Sequence, residues 1–191
     1  MNEPNWKIYV AQIPYSKTEN FWVSFESDPG LKKTKANIYD RCLPCIQNLY
    51  YQLKAGQDPI ELGNAYNCWK VTATVNGIDK CLALIHEFEK NFPDGHVYGK
   101  FGSSRPGSDT KVVVFHTETE RERDRIKTAL TRCLSLINQN GPVHISRACA
   151  VLFDDILGNW QDWQPKTPIK YPHNVKMHLE KIKRILYRSK M

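Results

Sequence analysis

Trp69-Lys70-Val71-Thr72-Ala73-Thr74-Val75-Asn76-Gly77 alternates apolar and polar side chains and then breaks at Asn-Gly. Successive side chains of a strand point to opposite faces. Trp69, Val71, Ala73 and Val75 therefore share a buried face, and Lys70, Thr72 and Thr74 the other. The spacing of Leu82, Ile85 and Phe88 predicts a helix over 79–92. Pro93-Asp94-Gly95 is a turn, and 96–101 reads as a second strand. A Gly- and Ser-rich loop, 102–109, leads to a third strand at 111–116. A long helix over 118–138 puts Ile126, Leu130, Cys133, Leu134 and Ile137 on one face. Asn140-Gly141-Pro142 then turns the chain into a short strand at 143–146.

Strand, helix, strand, strand, helix, strand over 66–147 is the split βαβ order, and it predicts an α+β fold with a ferredoxin-like core. Upstream, 6–13 and 21–25 read as strands that extend the same sheet or build a second lobe. Ile38, Cys42, Cys45, Ile46, Leu49 and Leu53 recur at helical spacing over 36–54. Pro44 either kinks that helix or marks its true start, where a missing N–H costs nothing. Downstream, a helix is expected over 148–157. Trp160 and Trp163 then pin a connector to the body, and Pro165, Pro168 and Pro172 mark an extended segment. The last helix, 174–188, carries the stripe Val175, Leu179, Ile182 and Leu186. The division expected is a body, 1–164, and a proline-led basic tail, 165–191.

Apolar residues make up 41% of the 191 and aromatics 11%, enough for a substantial core, so wholesale disorder is excluded. No apolar run approaches the roughly 20 residues of a membrane span, and the first residues lack the pattern of a secretory signal. A cytoplasmic location follows as the expectation, with Cys42, Cys45, Cys68, Cys81, Cys133 and Cys149 as reduced thiols. The net charge is +7. Residues 165–191 hold eight basic side chains against one acid, Glu180, so the tail carries the whole excess. A concentrated cationic segment attracts polyanions.

Cys42-Leu43-Pro44-Cys45 has the spacing of a redox pair. No strand leads into it and both thiols fall on the apolar helix face, which favours packing. No second pair completes a zinc site, and neither metal nor cofactor is expected. In a split βαβ sheet the third and last strands flank the first. His116 and His144 then lie near one end of one face, with Ser146, Lys70 and Arg147 close by. Two such imidazoles suit general acid–base cleavage of a phosphodiester. His144-Ile145-Ser146 resembles one half of the His-x-Ser/Thr pair of the two-histidine phosphoesterases. His116-Thr117-Glu118 lacks the hydroxyl at its third position, so that family is not assigned. Lys100 and Arg105, beside and within the 102–109 loop, are candidate phosphate ligands, as are Lys176, Lys183, Arg184 and Arg188 on the last helix.

The leading expectation is a nucleic-acid-binding protein, RNA ahead of DNA, gripping the phosphate backbone through its basic C-terminal helix. Two alternatives stand beside it. One is a metal-independent phosphodiesterase or nuclease using His116 and His144. The other is a protein-interaction subunit whose stripe Val175, Leu179, Ile182 and Leu186 docks into a larger complex.

Overall fold

A computed structural model describes residues 6–13, 21–36, 43–93, 95–103, 108–147 and 150–188. They form an α+β structure with an antiparallel sheet and, among the described residues, seven α-helices. In chain order the elements are β1 (Tyr9–Val10), β2 (Phe21–Glu26), α1 (Lys32–Ala36), α2 (Leu43–Lys54), β3 (Ile60–Glu61), α3 (Asn64–Asn67), β4 (Trp69–Asn76) and α4 (Ile78–Asn91). Then follow β5 (Tyr98–Ser103), β6 (Thr110–Thr117), α5 (Glu120–Leu136), β7 (Val143–Arg147), α6 (Ala150–Leu157), β8 (Lys166–Thr167) and α7 (Val175–Arg188). The chain divides into two compact units, each made of two stretches. One is Met1–Lys35 with Trp69–Ile145; the other is Ala36–Cys68 with Ser146–Met191.

The first unit is built on a sheet of order β1-β2-β5-β6-β4-β7. The alternation read at 69–76 holds: Trp69, Val71, Ala73 and Val75 are buried, and Lys70, Thr72 and Thr74 are half-buried. Val71, Ala73 and Val75 join Val113 and Phe115 of β6, Phe101 of β5 and Phe21, Val23 and Phe25 of β2 in one core. Helix α4 adds Cys81, Leu84, Ile85 and Phe88, and α5 adds Ile126, Leu130, Cys133 and Leu134. Thr119 caps α5, its hydroxyl accepting the Glu122 N–H at 3.2 Å.

Gly99 sets how tightly this sheet closes on itself. It lies between Phe25 on β2 and Phe115 on β6, one strand away on each side. With no side chain between them, the two rings meet edge to face at 4.8 Å. Phe88 of α4 meets Phe115 at 4.5 Å with the rings tilted by 40° and stacks on Phe92 at 4.6 Å. A Cβ on Gly99 would stand 2.0 Å from the Val114 carbonyl oxygen and 2.6 Å from the Phe25 ring.

Both N-terminal strands extend this sheet rather than form a lobe of their own. The strand expected over 6–13 is shorter than its apolar pattern suggested: only Tyr9 and Val10 pair, with Glu26 and Phe25. Glu26 is buried at the end of β2, and its carboxylate accepts the N–H groups of Lys33 and Thr34, each at 2.8 Å. That interaction anchors α1, a short helix the periodicity did not predict.

The second unit gathers α2, β3, α3, α6, β8 and α7. Its core holds Leu49 and Leu53, Ile60, Leu62, Ala65, Phe153, Ile156, Leu157, Trp163 and Ile182. Among the described residues α2 spans Leu43–Lys54 and includes Pro44. The start of the helix read over 36–54 and the first cysteine of the Cys42–Cys45 pair lie outside the described residues. The proline segment is not simply extended. Lys166 and Thr167 pair with Glu61 and Ile60 as a second, two-stranded sheet. Gln52 completes the other side of that strand: its side-chain nitrogen donates to the Glu61 carbonyl at 2.9 Å, and its oxygen accepts the Glu61 N–H at 2.7 Å. Trp163 is buried, packs against Phe153 with the rings tilted by 53°, and donates its indole N–H to the Gly158 carbonyl at 3.0 Å.

His178 lies fully buried on α7. Its Nδ1 stands 3.8 Å from an Asp155 carboxylate oxygen that also receives the Lys181 ammonium at 3.0 Å. Burial holds the imidazole below its ordinary pKa of 6.5, and Lys181 adds to that; Asp155 offsets only part of it.

Three outcomes follow from this packing. Burial pushes the thiols of Cys81 and Cys133 up to about 12 and about 11. Both should resist alkylation at pH 8 in the native protein and react together as denaturant unfolds it, read residue by residue by mass spectrometry. Gly99→Ala should cost about 3 kcal/mol through overpacking, measured by urea denaturation. His178 is neutral when buried but takes a proton near pH 6.5 when unfolded, so stability should fall as pH drops below 6.5. Melting temperatures between pH 7.5 and 5.5 should show that slope, and His178→Leu should flatten it.

Candidate nucleic-acid interface

Helices α4 and α5 pack on one face of the large sheet, so the opposite face is where strand-borne polar groups collect. Register fixes its rows. Glu26, Tyr98, His116 and Lys70 lie across β2, β5, β6 and β4 in that order. The next row is Ser24, Lys100, Val114 and Thr72, and the third is Trp22, Gly102, Val112 and Thr74. Tyr98, Val114 and His116 are buried; Lys70, Thr72, Thr74, Lys100 and Val112 are half-buried.

The structure brings several of the sequence-derived residues onto this face. His116 sits in register with Lys70, and its ring stacks on Tyr98 at 5.8 Å with the planes 12° apart. The Lys33 ammonium lies over the Tyr98 ring, 5.5 Å from its centre. His144 is exposed on β7, with its neighbour Val143 on the core side. The Thr74 N–H donates to the Pro142 carbonyl at 3.1 Å. Counting along an antiparallel ladder from that bond sets His144 beside Thr72 rather than Lys70. The two histidines are thus two strand spacings apart, with β4 between them, and offset by two residues, about 12 Å between backbone positions. One imidazole is accessible and the other is packed against a tyrosine.

Other candidates are placed elsewhere. The chain passes into the second unit after Ile145, within β7. Ser146 is half-buried there. Arg147 is buried, with its guanidinium 4.0 Å above the Tyr66 ring. Arg105 lies outside the described residues. On α7, Ile182 is fully buried, and Val175, Leu179 and Leu186 pack around it against the core of their own unit. Lys176, Lys183 and Arg184 are exposed on the same helix, and Arg188 is its last residue. Lys181 is tied to Asp155, whose carboxyl it holds below the usual range.

Two features escaped the sequence reading. Trp22 is on the second sheet face and 42% exposed, with the Lys100 ammonium 4.5 Å from its ring centre. Its alternation with Phe21, Val23 and Phe25 was the available signal. The other is a cleft of about 640 Å³ beside β1, lined by Trp6, Tyr9, Lys7, Lys33 and His96 among others. Its lining comes from segments far apart in the chain, so no local pattern announced it.

Among the described residues, no group of three or more His, Cys, Asp or Glu side chains is placed to hold a metal ion, and no helix is long and apolar enough to cross a membrane. No family model, curated protein or solved structure matches this chain.

Proposed function

We propose that this is a cytoplasmic nucleic-acid-binding protein, RNA ahead of DNA, that holds the phosphate backbone through the basic face of α7. The observation that carries this reading is the division of labour on that helix. Its apolar stripe is consumed by the core of its own unit, while Lys176, Lys183 and Arg184 stay exposed. A cationic face held on a packed helix is pre-organised for a polyanion and does not need to fold on binding. The excess charge of the chain lies in the same 165–191 segment. We also infer a ferredoxin-like split βαβ core, widened by β1 and β2. The strand order β5-β6-β4-β7, joined through α4 and α5, supports it.

The protein-interaction alternative needs the stripe of Val175, Leu179, Ile182 and Leu186, which this packing already uses. The phosphodiesterase alternative needs two imidazoles on one phosphate, and His116 is buried against Tyr98.

Deleting the tail would be a poor test, because Ile182 belongs to the second core and Lys166 and Thr167 pair with Glu61 and Ile60. The full chain carrying Lys176→Gln, Lys183→Gln and Arg184→Gln keeps the stripe intact. Electrophoretic shifts on single-stranded RNA across a salt series should show weaker binding. The slope of log affinity against log salt should shrink by about 2, at roughly 0.7 per lost phosphate contact. An unchanged affinity and slope would overturn the proposal.

A further inference from the structure

We propose that His178 is a proton-operated latch on α7, so that mild acid opens the helix and weakens its hold on a polyanion; this rests on the nucleic-acid reading above and adds its regulation. His178 follows Val175 by three residues and precedes Ile182 by four, so it stands within the apolar stripe of the helix. It is fully buried, as Ile182 is, and neither ring nitrogen has a well-aligned hydrogen-bond partner. An imidazole is the one side chain of that stripe able to gain a charge between pH 5 and 7. The surroundings are poorly suited to that charge. Asp155 of α6 stands 3.8 Å from Nδ1, but the same carboxylate oxygen already takes the Lys181 ammonium at 3.0 Å. Burial opposes protonation most and Lys181 next, while Asp155 and the Leu152 backbone offset only part of this.

The other charged groups nearby do not supply a better partner. Helix α2, which also packs against α7, carries one charged residue, Lys54, exposed at its last position. His173 is exposed on the turn that leads into α7. Asp154 of α6 has one buried carboxylate oxygen without a partner, and burial, then Asp155, holds its carboxyl above 3.8. Its protonation favours the packed helix, in the opposite sense to His178. Asp155 itself, held below 3.8 by Lys181, stays charged at mild acid. Packed, the His178 ring stays neutral; exposed by opening, it takes a proton near its ordinary 6.5. Each pH unit below 6.5 therefore shifts the balance toward the open helix by up to about tenfold. Away from its core a 14-residue helix is marginal in water, and Lys176, Lys183 and Arg184 lose the fixed spacing that pre-organises them. Simple electrostatics runs the other way: histidines that gain protons make a chain more cationic and tighten its hold on a polyanion. The sign of the pH effect separates the two.

The test uses the full chain at pH 7.5 and 5.5 and one salt concentration, with hydrogen exchange on α7 and fluorescence anisotropy on labelled oligouridylate. In the wild type, α7 amides should lose up to about tenfold in protection on acidification, after correction for intrinsic exchange, and affinity should fall with them. His178→Leu should hold its protection and bind at pH 5.5 at least as tightly as at pH 7.5. Wild-type protection that does not drop would overturn the latch, whatever the variant does. An equal drop in His178→Leu would overturn it too. Wild-type affinity that holds or rises at pH 5.5 would overturn the gating alone, and the nucleic-acid reading survives if the triple α7 variant loses binding at pH 7.5. If the wild type binds oligouridylate at neither pH, that reading and its regulation fall together.

Discussion

The contact of Phe25 with Phe115 across Gly99 is the constraint on which the first unit depends. Strands two apart in a sheet are normally separated by about 10 Å, too far for their side chains to pack closely unless the residue between them is small. Glycine removes that obstacle, and the rings close to 4.8 Å. The contact joins β2, which comes from the N-terminal segment, to β6 at the centre of the sheet. Phe88 then couples both to α4. One missing side chain thereby ties the N-terminal segment into a core that the 69–145 stretch otherwise builds.

The same sheet has two differently used faces. One is filled by Phe, Val, Leu and Ile from strands and helices. The other mixes lysines with tryptophan, tyrosine and histidine, and its pairings are cation–π and ring stacking rather than aliphatic packing. Tyr98 and His116 are buried within these pairs, while Trp22 is partly exposed and Lys100 half-buried. The second unit applies the division to a helix. Helix α7 spends its stripe on packing and leaves its cations outside. The buried His178 beside Asp155 makes that packing sensitive to proton concentration.

Much of the central architecture was legible in the sequence. The alternation at Trp69-Lys70-Val71-Thr72-Ala73-Thr74-Val75 and the periodic apolar residues of α4, α5 and α7 fixed those elements to within a few residues, because each buries a face of its own. The candidate site was less legible. Lys70, Thr72, Tyr98, Lys100 and His144 could be put on one face by strand parity alone. Trp22 was missed because β2 was not tied to that sheet until its register with β5 was known.

The sequence by itself therefore determined the local elements, the apolar faces they must bury and the concentration of cations in 165–191. Those are properties of neighbouring residues and of composition. Only the tertiary structure decided that β1 and β2 join the central sheet, that Lys166 and Thr167 pair with a strand a hundred residues away, and that the α7 stripe is covered within its own unit. Each of these is a choice among partners of equal local fitness. It is settled by which arrangement fills the core: a glycine that admits two phenyl rings, a glutamine that completes a strand edge, and a tryptophan that closes the second core.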